Sequence, residues 1–220
     1  MTLNLPKYIA LCGYSGAGKS EVQKILRADF DVLPVDDGWP LRDYAIRHMG
    51  ATEAQVFTQE GKTQLAWING APVIDHVTGS HMTWRQVLGR IGDQLEALMG
   101  THHMAQCAML RTELMPDSNP YKHFSFGSVR KDQAGAYKLK GGLVIGIKAP
   151  WAPWNENAFD LFDESAVDLW IENSVKDLEV LRKTIAAAIG YISFQRQIGG
   201  LVRGTNGPNT PRGFAFDTVA

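Results

Sequence analysis

The sequence contains little cysteine and no long hydrophobic run. Its two cysteines, Cys12 and Cys107, are too few for a disulfide framework and form no Cys-x-x-Cys or Cys/His pattern for zinc. The longest strongly apolar stretches, 143–147 and 185–192, are shorter than the roughly 20 residues that cross a bilayer. The first seven residues also lack the pattern of a secretory signal peptide. We therefore expect a cytoplasmic protein without a membrane partner.

An excess of charge of either sign is also absent. The 220 residues hold 22 Lys and Arg against 23 Asp and Glu, which gives a formal net charge of −1. A balanced chain offers no broad basic surface to a nucleic-acid backbone, so we expect no direct nucleic-acid binding. With 45% hydrophobic and 20% charged residues, the composition is that of a folded protein and excludes disorder, collagen and coiled coil.

Hydrophobic patterning predicts strands that alternate with helices. Short apolar runs predict strands at 8–12, 30–35, 124–129, 143–147 and 166–171. Amphipathic spacing and capping residues predict helices at 21–28, 40–49, from 52 onward, 83–99, 102–115 and 176–189. This alternation is typical of an α/β protein whose parallel sheet is covered by helices on both faces.

One segment has the pattern of a phosphate-binding loop (P-loop). It matches G-x-x-x-x-G-K-[ST] between a predicted strand and a predicted helix, and it consists of Gly13, Tyr14, Ser15, Gly16, Ala17, Gly18, Lys19 and Ser20. Glycines allow backbone N–H groups to converge on phosphate oxygens, and a helix N-terminus adds positive potential. Lys19 is expected to reach the β- and γ-phosphates, while Ser20 offers its hydroxyl to Mg²⁺.

A P-loop alone does not identify the reaction, but size and other motifs narrow it. The chain has no Asn-Lys-x-Asp motif for reading guanine, and its 220 residues favour a small-molecule kinase. A phosphorylated acceptor calls for arginines, because the planar guanidinium binds phosphate with two parallel hydrogen bonds. Candidates are Arg42 after the second predicted strand, Arg85 on the helix at 83–99, and Arg130 after the strand at 124–129. Each also has the simpler interpretation of a solvated surface arginine.

Further motifs follow the P-loop in a characteristic order. They are Asp37-Gly38-Trp39-Pro40-Leu41-Arg42-Asp43, Glu60-Gly61-Lys62, the helix that begins Thr83-Trp84-Arg85, Ser128-Val129-Arg130, and Asp168-Leu169-Trp170-Ile171-Glu172-Asn173-Ser174. In this order and spacing, residues 7–185 resemble the deoxynucleoside monophosphate kinases of tailed bacteriophages. The resemblance implies a three-layer P-loop kinase fold with a central, mainly parallel sheet flanked by helices.

The same resemblance implies an activity and roles for individual residues. The activity is transfer of the γ-phosphoryl group of ATP to a deoxynucleoside 5′-monophosphate, with Mg²⁺ as cofactor, in the host cytoplasm if the chain is viral. Arg42, Arg85 and Arg130 would face the acceptor phosphate or the bridging oxygen, and Lys62 is a further candidate for that side. The nucleotide site would contain Asn173 and Ser174 beside the adenine.

Two acidic residues and two tryptophans are assigned less narrowly. Asp36 and Asp37 would hold water on Mg²⁺ or contact the deoxyribose, and both alternatives stay open; Asp37 is our candidate metal-site carboxylate beside Ser20. Trp39 and Trp67 are the tryptophans that would stack on the acceptor base.

The chain departs from the family pattern in two places. Ser128 stands where the family commonly has Asp, two residues before Arg130. Residues 155–179 hold eight acids and one lysine, a net charge of −7, so this stretch cannot supply the arginines of a lid. A cationic stretch is instead expected to stabilise the transferring phosphoryl group, unless it is simply a solvated face; it contains Arg130, Lys131, Lys138, Lys140 and Lys148.

These expectations define the domains and leave alternatives open. We expect the kinase domain at 1–194, with the acceptor-binding helical region at about 36–122, and a C-terminal arm or flexible tail at 195–220. The alternatives are a kinase of another small acceptor such as dephospho-coenzyme A, or a nucleotide-dependent switch without an acceptor. Monomer and homodimer both remain open.

Overall fold

The computed structural model describes residues 3–152 and 161–200. The strands are β1 (Tyr8–Cys12), β2 (Val32–Val35), β3 (Trp67–Ile68), β4 (Ala71–Pro72), β5 (His123–Phe126), β6 (Leu143–Lys148) and β7 (Leu169–Glu172). The helices are α1 (Lys19–Phe30), α2 (Trp39–Met49), α3 (Glu53–Phe57), α4 (Gln59–Thr63), α5 (Trp84–Met99), α6 (His103–Glu113), α7 (Ala134–Leu139) and α8 (Leu178–Gln197). The chain divides into a first unit, Met1–Asp36 with Met109–Ala220, and a second unit, Asp37–Ala108.

The first unit is built on a five-stranded sheet in the order β2-β5-β1-β6-β7, with every neighbouring pair parallel. In register, Ile9 lies opposite Leu143, and Ile145 lies opposite Leu169. The strands are short and apolar because a parallel sheet is buried on both faces. Since all five strands run the same way, their carboxyl ends share one edge, where ligands of open α/β sheets bind.

Alternate residues of each strand pack on opposite faces of this sheet, as a strand's period of two requires. One face packs on α1 and α8 in a cluster of buried side chains, which includes Leu11, Val22, Ile25, Leu26, Ile145, Ile147, Ile171, Leu181, Ile185 and Ile189. On the other face the Phe126 ring lies 5.8 Å from that of Tyr8 and 4.8 Å from that of Tyr137 in α7. Helix, sheet and helix form three layers, so the predicted fold class is confirmed.

The second unit contains helices and one small hairpin. Buried side chains of α2, α3 and α5 form its core, namely Ala45, Val56, Trp84, Val87 and Leu88. The predicted capping box at Thr52 and Gln55 begins α3, and a second one, at Thr83 and Gln86, begins α5. Strands β3 and β4 pair in antiparallel fashion at residues 67–72.

Several predicted boundaries were wrong. The strand expected at 30–35 begins at Val32, because α1 continues through Phe30 and ends at Asp31 with a left-handed φ of 54°. The strand expected at 124–129 ends at Phe126, and the one expected at 166–171 begins at Leu169.

Helix α8 does not end at 189 but continues through Gln197, past the start of the expected arm at 195. Ser193 in its last turns is buried, and its hydroxyl accepts a hydrogen bond from the Asn4 backbone N–H at 2.9 Å. The rest of the expected arm, 201–220, lies outside the described residues, as do residues 155–160 of the acidic stretch. In the parts of the chain that are described, every helix is too short or too polar to cross a membrane.

Candidate functional site

The P-loop lies between the carboxyl end of β1 and the first turn of α1, as predicted. Gly16 and Gly18 have φ angles of +83° and +104°, which glycine adopts without the strain of a β-carbon. The N–H of Ala17 donates to the carbonyl of Tyr14 at 3.1 Å and closes the turn. Gly18 precedes α1 and has no side chain to cap it, so the helix begins with N–H groups that suit an anion.

Glycine is also required at Gly13, because the backbone approaches β6 closely there. A β-carbon on Gly13 would lie 2.5 Å from the carbonyl oxygen of Ile147, and its φ is +141°. The first glycine of the motif therefore allows the P-loop to rest directly on the end of β6.

Lys19 and Ser20 stand at the start of α1. The Lys19 ammonium donates to the carbonyl oxygens of Gly13 and Tyr14, the latter at 3.0 Å, so its side chain curls back over the loop. The Ser20 side chain is exposed on the first turn. A bound phosphate would compete with the two carbonyls for the Lys19 ammonium.

Two side chains from elsewhere in the first unit donate to P-loop carbonyls. Asn173, directly after β7, is buried, and its amide donates to the carbonyl of Ala17 at 3.1 Å. The indole N–H of Trp151 donates to the carbonyl of Gly16 at 3.2 Å. The structure thus places Asn173 against the loop backbone, whereas the sequence suggested a position beside the adenine.

A pocket of about 360 Å³ lies next to the P-loop in the first unit. Its lining comes from the loop and from the segments that follow β6 and β7, namely Tyr14, Lys148, Ala149, Pro150, Ala152, Glu172 and Ser174. Ser174, predicted for the nucleotide site, lines this pocket. Lys148 holds its ammonium 4.0 Å from the centroid of the Trp170 ring, a cation–π contact at the pocket wall.

Tyr14 joins the P-loop to the segment before β7. Its ring lies 5.4 Å from that of Phe162, and its hydroxyl donates to a Glu164 carboxylate oxygen at 3.2 Å. Burial and the neighbouring Glu164 carboxylate raise the pKa of the Tyr14 phenol above its ordinary value of 10.0. Below the loop, burial raises the pKa of the Cys12 thiol to about 12, so Cys12 is a neutral packing group and not a nucleophile.

Arg130 follows β5 at the same edge of the sheet. The N–H of Val129 donates to the carbonyl of Leu11 at 3.3 Å, which ties this loop to the end of β1. The end of β5 is supported from α1, because the Gln23 amide donates to the carbonyl of Ser125 at 3.1 Å. The Arg130 side chain is half-buried.

The expected cationic stretch is not a single patch. Lys138 makes an ion pair of 2.8 Å with Asp168, whose other oxygen accepts from the Val144 N–H at the amino end of β6. Lys140 follows α7 and leads into the same end of the sheet, opposite the P-loop. Proposing Lys138 and Lys140 for phosphate stabilisation was therefore wrong. By contrast, Arg130, Lys131 and Lys148 follow or end strands at the carboxyl edge.

In the second unit the expected acceptor cations gather around the turn between α3 and α4. The Arg42 guanidinium lies 5.1 Å from the centroid of the Phe57 ring, where α3 ends. The Arg85 guanidinium donates to the side-chain oxygen of Gln59 at 2.5 Å, where α4 begins. Lys62 belongs to α4 itself. Segment 57–62 thus brings three predicted phosphate ligands to one region of this unit.

Three of the remaining predicted residues lie at the start of the second unit or just before it, and Trp67 lies in β3. Asp36 follows β2 in the first unit and is half-buried. Asp37 is buried, and Trp39 is 37% exposed at the first position of α2. Trp67 is half exposed, with its ring edge-on to that of His81 at 4.9 Å.

The sequence analysis did not predict the side-chain contacts that support the P-loop and the end of β5. Trp151 and Gln23 belong to no motif, and each acts on backbone that is distant in sequence. Gln23 does sit one helical turn after Ser20, on the side of α1 that faces the sheet edge, but nothing in its spacing distinguishes it from a surface glutamine. The described residues contain no group of three or more His, Cys, Asp or Glu arranged to hold a metal ion.

Comparison with known proteins gives distant structural likeness. No protein-family model and no curated protein sequence match the chain. A dephospho-CoA kinase from Campylobacter jejuni is 14% identical, with 87% of this chain and 100% of that chain covered at a TM-score of 0.45. Shikimate kinase from Aquifex aeolicus vf5 is 13% identical, with coverages of 88% and 99% and a TM-score of 0.41. A gluconokinase from Sinorhizobium meliloti 1021 is 12% identical, with coverages of 89% and 98% and a TM-score of 0.39.

Proposed function

We propose that the protein is a P-loop kinase that transfers the γ-phosphoryl group of ATP to a deoxynucleoside 5′-monophosphate. The observation that carries this proposal is the glycine-built loop between β1 and α1 beside a pocket of about 360 Å³. The loop suits a chain of phosphates, and the pocket has the volume of a site for a small ligand. Resemblance of the sequence motifs to the phage kinases supports the choice of acceptor.

On the donor side, the phosphates would bind along the P-loop while the adenine enters the pocket that Ser174 lines. Left-handed Gly16 and Gly18 fit this use, because their N–H groups can approach an anion without a β-carbon in the way. Lys19 would leave the carbonyls of Gly13 and Tyr14 and bind the β- and γ-phosphates. The loop supplies these groups in advance, so little rearrangement beyond Lys19 is needed.

Mg²⁺ fits the donor set that this edge offers. The exposed Ser20 hydroxyl is a hard oxygen ligand of the kind Mg²⁺ takes, and the phosphates and water would complete its coordination. Asp36 and Asp37 are the carboxylates proposed to hold its water or the deoxyribose. When bound, Mg²⁺ would spread the negative charge that builds on the transferring phosphoryl group.

The transfer needs no general base. An acceptor monophosphate is already anionic at neutral pH, so one of its oxygens attacks the γ-phosphorus directly as the bond to ADP breaks. The protein's tasks are therefore positioning and charge stabilisation. Arg130, in the loop tied to β1 through Val129, is proposed for the charge that develops during transfer, with Lys131 and Lys148 as neighbouring cations on this edge.

On the acceptor side, we propose that Arg42, Lys62 and Arg85 bind the monophosphate. Arg42 and Arg85 contact residues at the two ends of the short turn between α3 and α4, and Lys62 follows in α4. A guanidinium that rests on an aromatic ring or an amide is pre-oriented to give two parallel N–H groups to a phosphate. Trp39 and Trp67 are the aromatic side chains proposed to stack on the acceptor base.

The test is ADP formation from Mg-ATP with each of the four deoxynucleoside monophosphates. We expect at least one of them to stimulate ADP release, and we expect Lys19→Ala to abolish the stimulation. Lys24→Ala is the matched control, because Lys24 lies one turn further along α1 with its side chain 71% exposed.

Two other outcomes would each overturn the proposal and identify its successor. A flat response to all four nucleotides, with dephospho-coenzyme A or another small acceptor active, would show a kinase of a different substrate. ATP hydrolysis that no small acceptor changes would favour a nucleotide-dependent switch.

A further inference from the structure

Two side chains from outside the P-loop donate hydrogen bonds to consecutive carbonyls of the loop. Trp151 donates to the carbonyl of Gly16 at 3.2 Å, and Asn173 donates to the carbonyl of Ala17 at 3.1 Å. In a loop whose N–H groups converge on an anion, the carbonyls must point away from it. Donors placed behind Gly16 and Ala17 therefore stabilise the peptide orientation that phosphate binding requires.

The position of Asn173 is fixed by its surroundings. Its side chain is buried, and its backbone N–H donates to the carbonyl of Lys148 at 2.7 Å. It packs so closely under the P-loop that a β-carbon on Gly18 would lie 2.7 Å from its amide nitrogen. Asn173 is thus held between the end of β6 and the P-loop.

Both donors are flanked in sequence by walls of the pocket. Pro150 and Ala152, on either side of Trp151, line the pocket. So do Glu172 and Ser174, on either side of Asn173. Each hydrogen bond therefore runs from a pocket wall to the backbone of the phosphate loop.

We infer that Trp151 and Asn173 are positioning residues that couple the pocket to the P-loop, so that a nucleoside in the pocket strengthens phosphate binding. This inference rests on the proposed use of the pocket for the base of the donor. A ligand that packs against both walls restricts the backbone at Trp151 and Asn173 and, through the two hydrogen bonds, the peptides after Gly16 and Ala17. Phosphate then binds a loop that is already ordered, which gives positive cooperativity. Coupling of this kind is reciprocal, so phosphate must strengthen nucleoside binding by the same factor.

The experiment measures binding of the phosphate part and the nucleoside part of ATP separately. Inorganic tripolyphosphate is titrated into the full-length protein by calorimetry, with and without saturating adenosine. We expect adenosine to tighten tripolyphosphate binding about fivefold or more, the lower range of measured couplings between sites. The reverse titration, adenosine with and without tripolyphosphate, must give the same factor.

Variants assign the coupling to the two hydrogen bonds. Trp151→Phe removes the indole N–H and keeps an aromatic ring at a half-buried position, so it tests the inference even if the buried Asn173→Ala fails to fold. Each variant should reduce the factor, and the double variant should bring it to about one. Lys24→Ala is the control: it changes an exposed side chain of α1 that pairs with Glu21 and removes no donor to a P-loop carbonyl, so the coupling factor should stay at the wild-type value.

The outcomes that overturn the inference are distinct from those that overturn the kinase. Tripolyphosphate affinity that adenosine does not change, or a coupling factor that survives in Trp151→Phe and the double variant, would refute the coupling. Because these are binding measurements without an acceptor, they stand whether or not any deoxynucleoside monophosphate is phosphorylated. Conversely, the variants could lose the coupling while the wild-type protein phosphorylates no deoxynucleoside monophosphate. That result would uphold this inference and refute the proposed function.

Discussion

Gly18 and Asn173 are packed so closely that a β-carbon on the glycine would lie 2.7 Å from the side-chain nitrogen of the asparagine. Gly18 also has a φ of +104°, where any other residue is strained. Glycine is therefore required at this position of the P-loop motif for two reasons, its backbone conformation and its lack of a side chain. By comparison, a β-carbon on Gly16 would meet its nearest atom, in Ala152, only at 4.0 Å.

This difference predicts unequal effects of two alanine substitutions. Gly16→Ala carries only the backbone penalty of a left-handed residue, on the order of 1–2 kcal/mol. Gly18→Ala adds a steric conflict that displaces Asn173 and its hydrogen bond to Ala17. We expect Gly18→Ala to weaken ATP binding by at least tenfold more than Gly16→Ala, measured by calorimetry on proteins of verified fold. Equal affinities in the two variants would show that the Asn173 contact does not matter.

Local patterns were sufficient to predict most of the first unit. The P-loop and β1 of the first unit, and the capping box at Thr52 in the second unit, are encoded by residues within a few positions of one another, and the structure has each where it was expected. The order of strands and helices followed from the same periodicity. Together with the preference of α/β chains for parallel sheets, this order fixed the fold class.

Long-range contacts account for what the sequence did not show. Trp151 and Asn173 reach the P-loop from more than 130 positions away, and no local spacing marks that pairing. Lys138 belongs to a run of cations in the sequence, yet α7 carries it to the amino end of β6 and to Asp168. Helix α8 was predicted too short because its last buried contact, between Ser193 and Asn4, depends on tertiary packing.

A second prediction concerns Gly146 in β6. A β-carbon there would lie 2.4 Å from two carbons of the Trp170 ring, which covers Gly146 from the neighbouring strand. We expect Gly146→Ala to lower the free energy of unfolding by about 1–3 kcal/mol, as overpacking in a full core does. Urea unfolding of the single variants Gly146→Ala and Trp170→Leu and of the double variant measures the effect. Leucine at position 170 makes room for the methyl group at position 146. The double variant should therefore lose less free energy of unfolding than the two single variants lose in sum, and strictly additive losses would contradict the contact.

A third prediction tests the acceptor side with two arginines of one helix. Arg42 rests on the Phe57 ring and is proposed to bind the acceptor phosphate, whereas Arg47 is 68% exposed and pairs with Asp43 at 2.7 Å. Arg42→Met should raise the KM for the deoxynucleoside monophosphate by about tenfold or more, since a hydrogen bond to a charged group contributes roughly 1.5–3 kcal/mol. The KM for ATP should stay within about twofold of wild type.

Arg47→Met is the control, and steady-state kinetics with each substrate varied in turn gives the comparison. Exposed ion pairs contribute little, so this variant should leave both KM values near wild type. An increase in the KM for ATP in Arg42→Met, with that for the acceptor unchanged, would place Arg42 on the donor side and refute the assignment.

The last prediction follows from the thiol beneath the P-loop. Burial raises the pKa of the Cys12 thiol from its ordinary value of 9.0 to about 12 in the folded protein. A raised pKa in the folded state contributes stability that is fully present below pH 9 and is lost as the pH rises toward 12. The free energy of unfolding of wild type should therefore fall relative to that of Cys12→Ala between pH 9 and 11, by up to about 1.4 kcal/mol per pH unit. Urea unfolding of both proteins at several pH values measures this difference, with Cys107→Ala present in both, because burial raises the pKa of the Cys107 thiol as well. A constant difference between wild type and Cys12→Ala over this range would mean that the thiol ionises as readily in the folded chain as in the unfolded one.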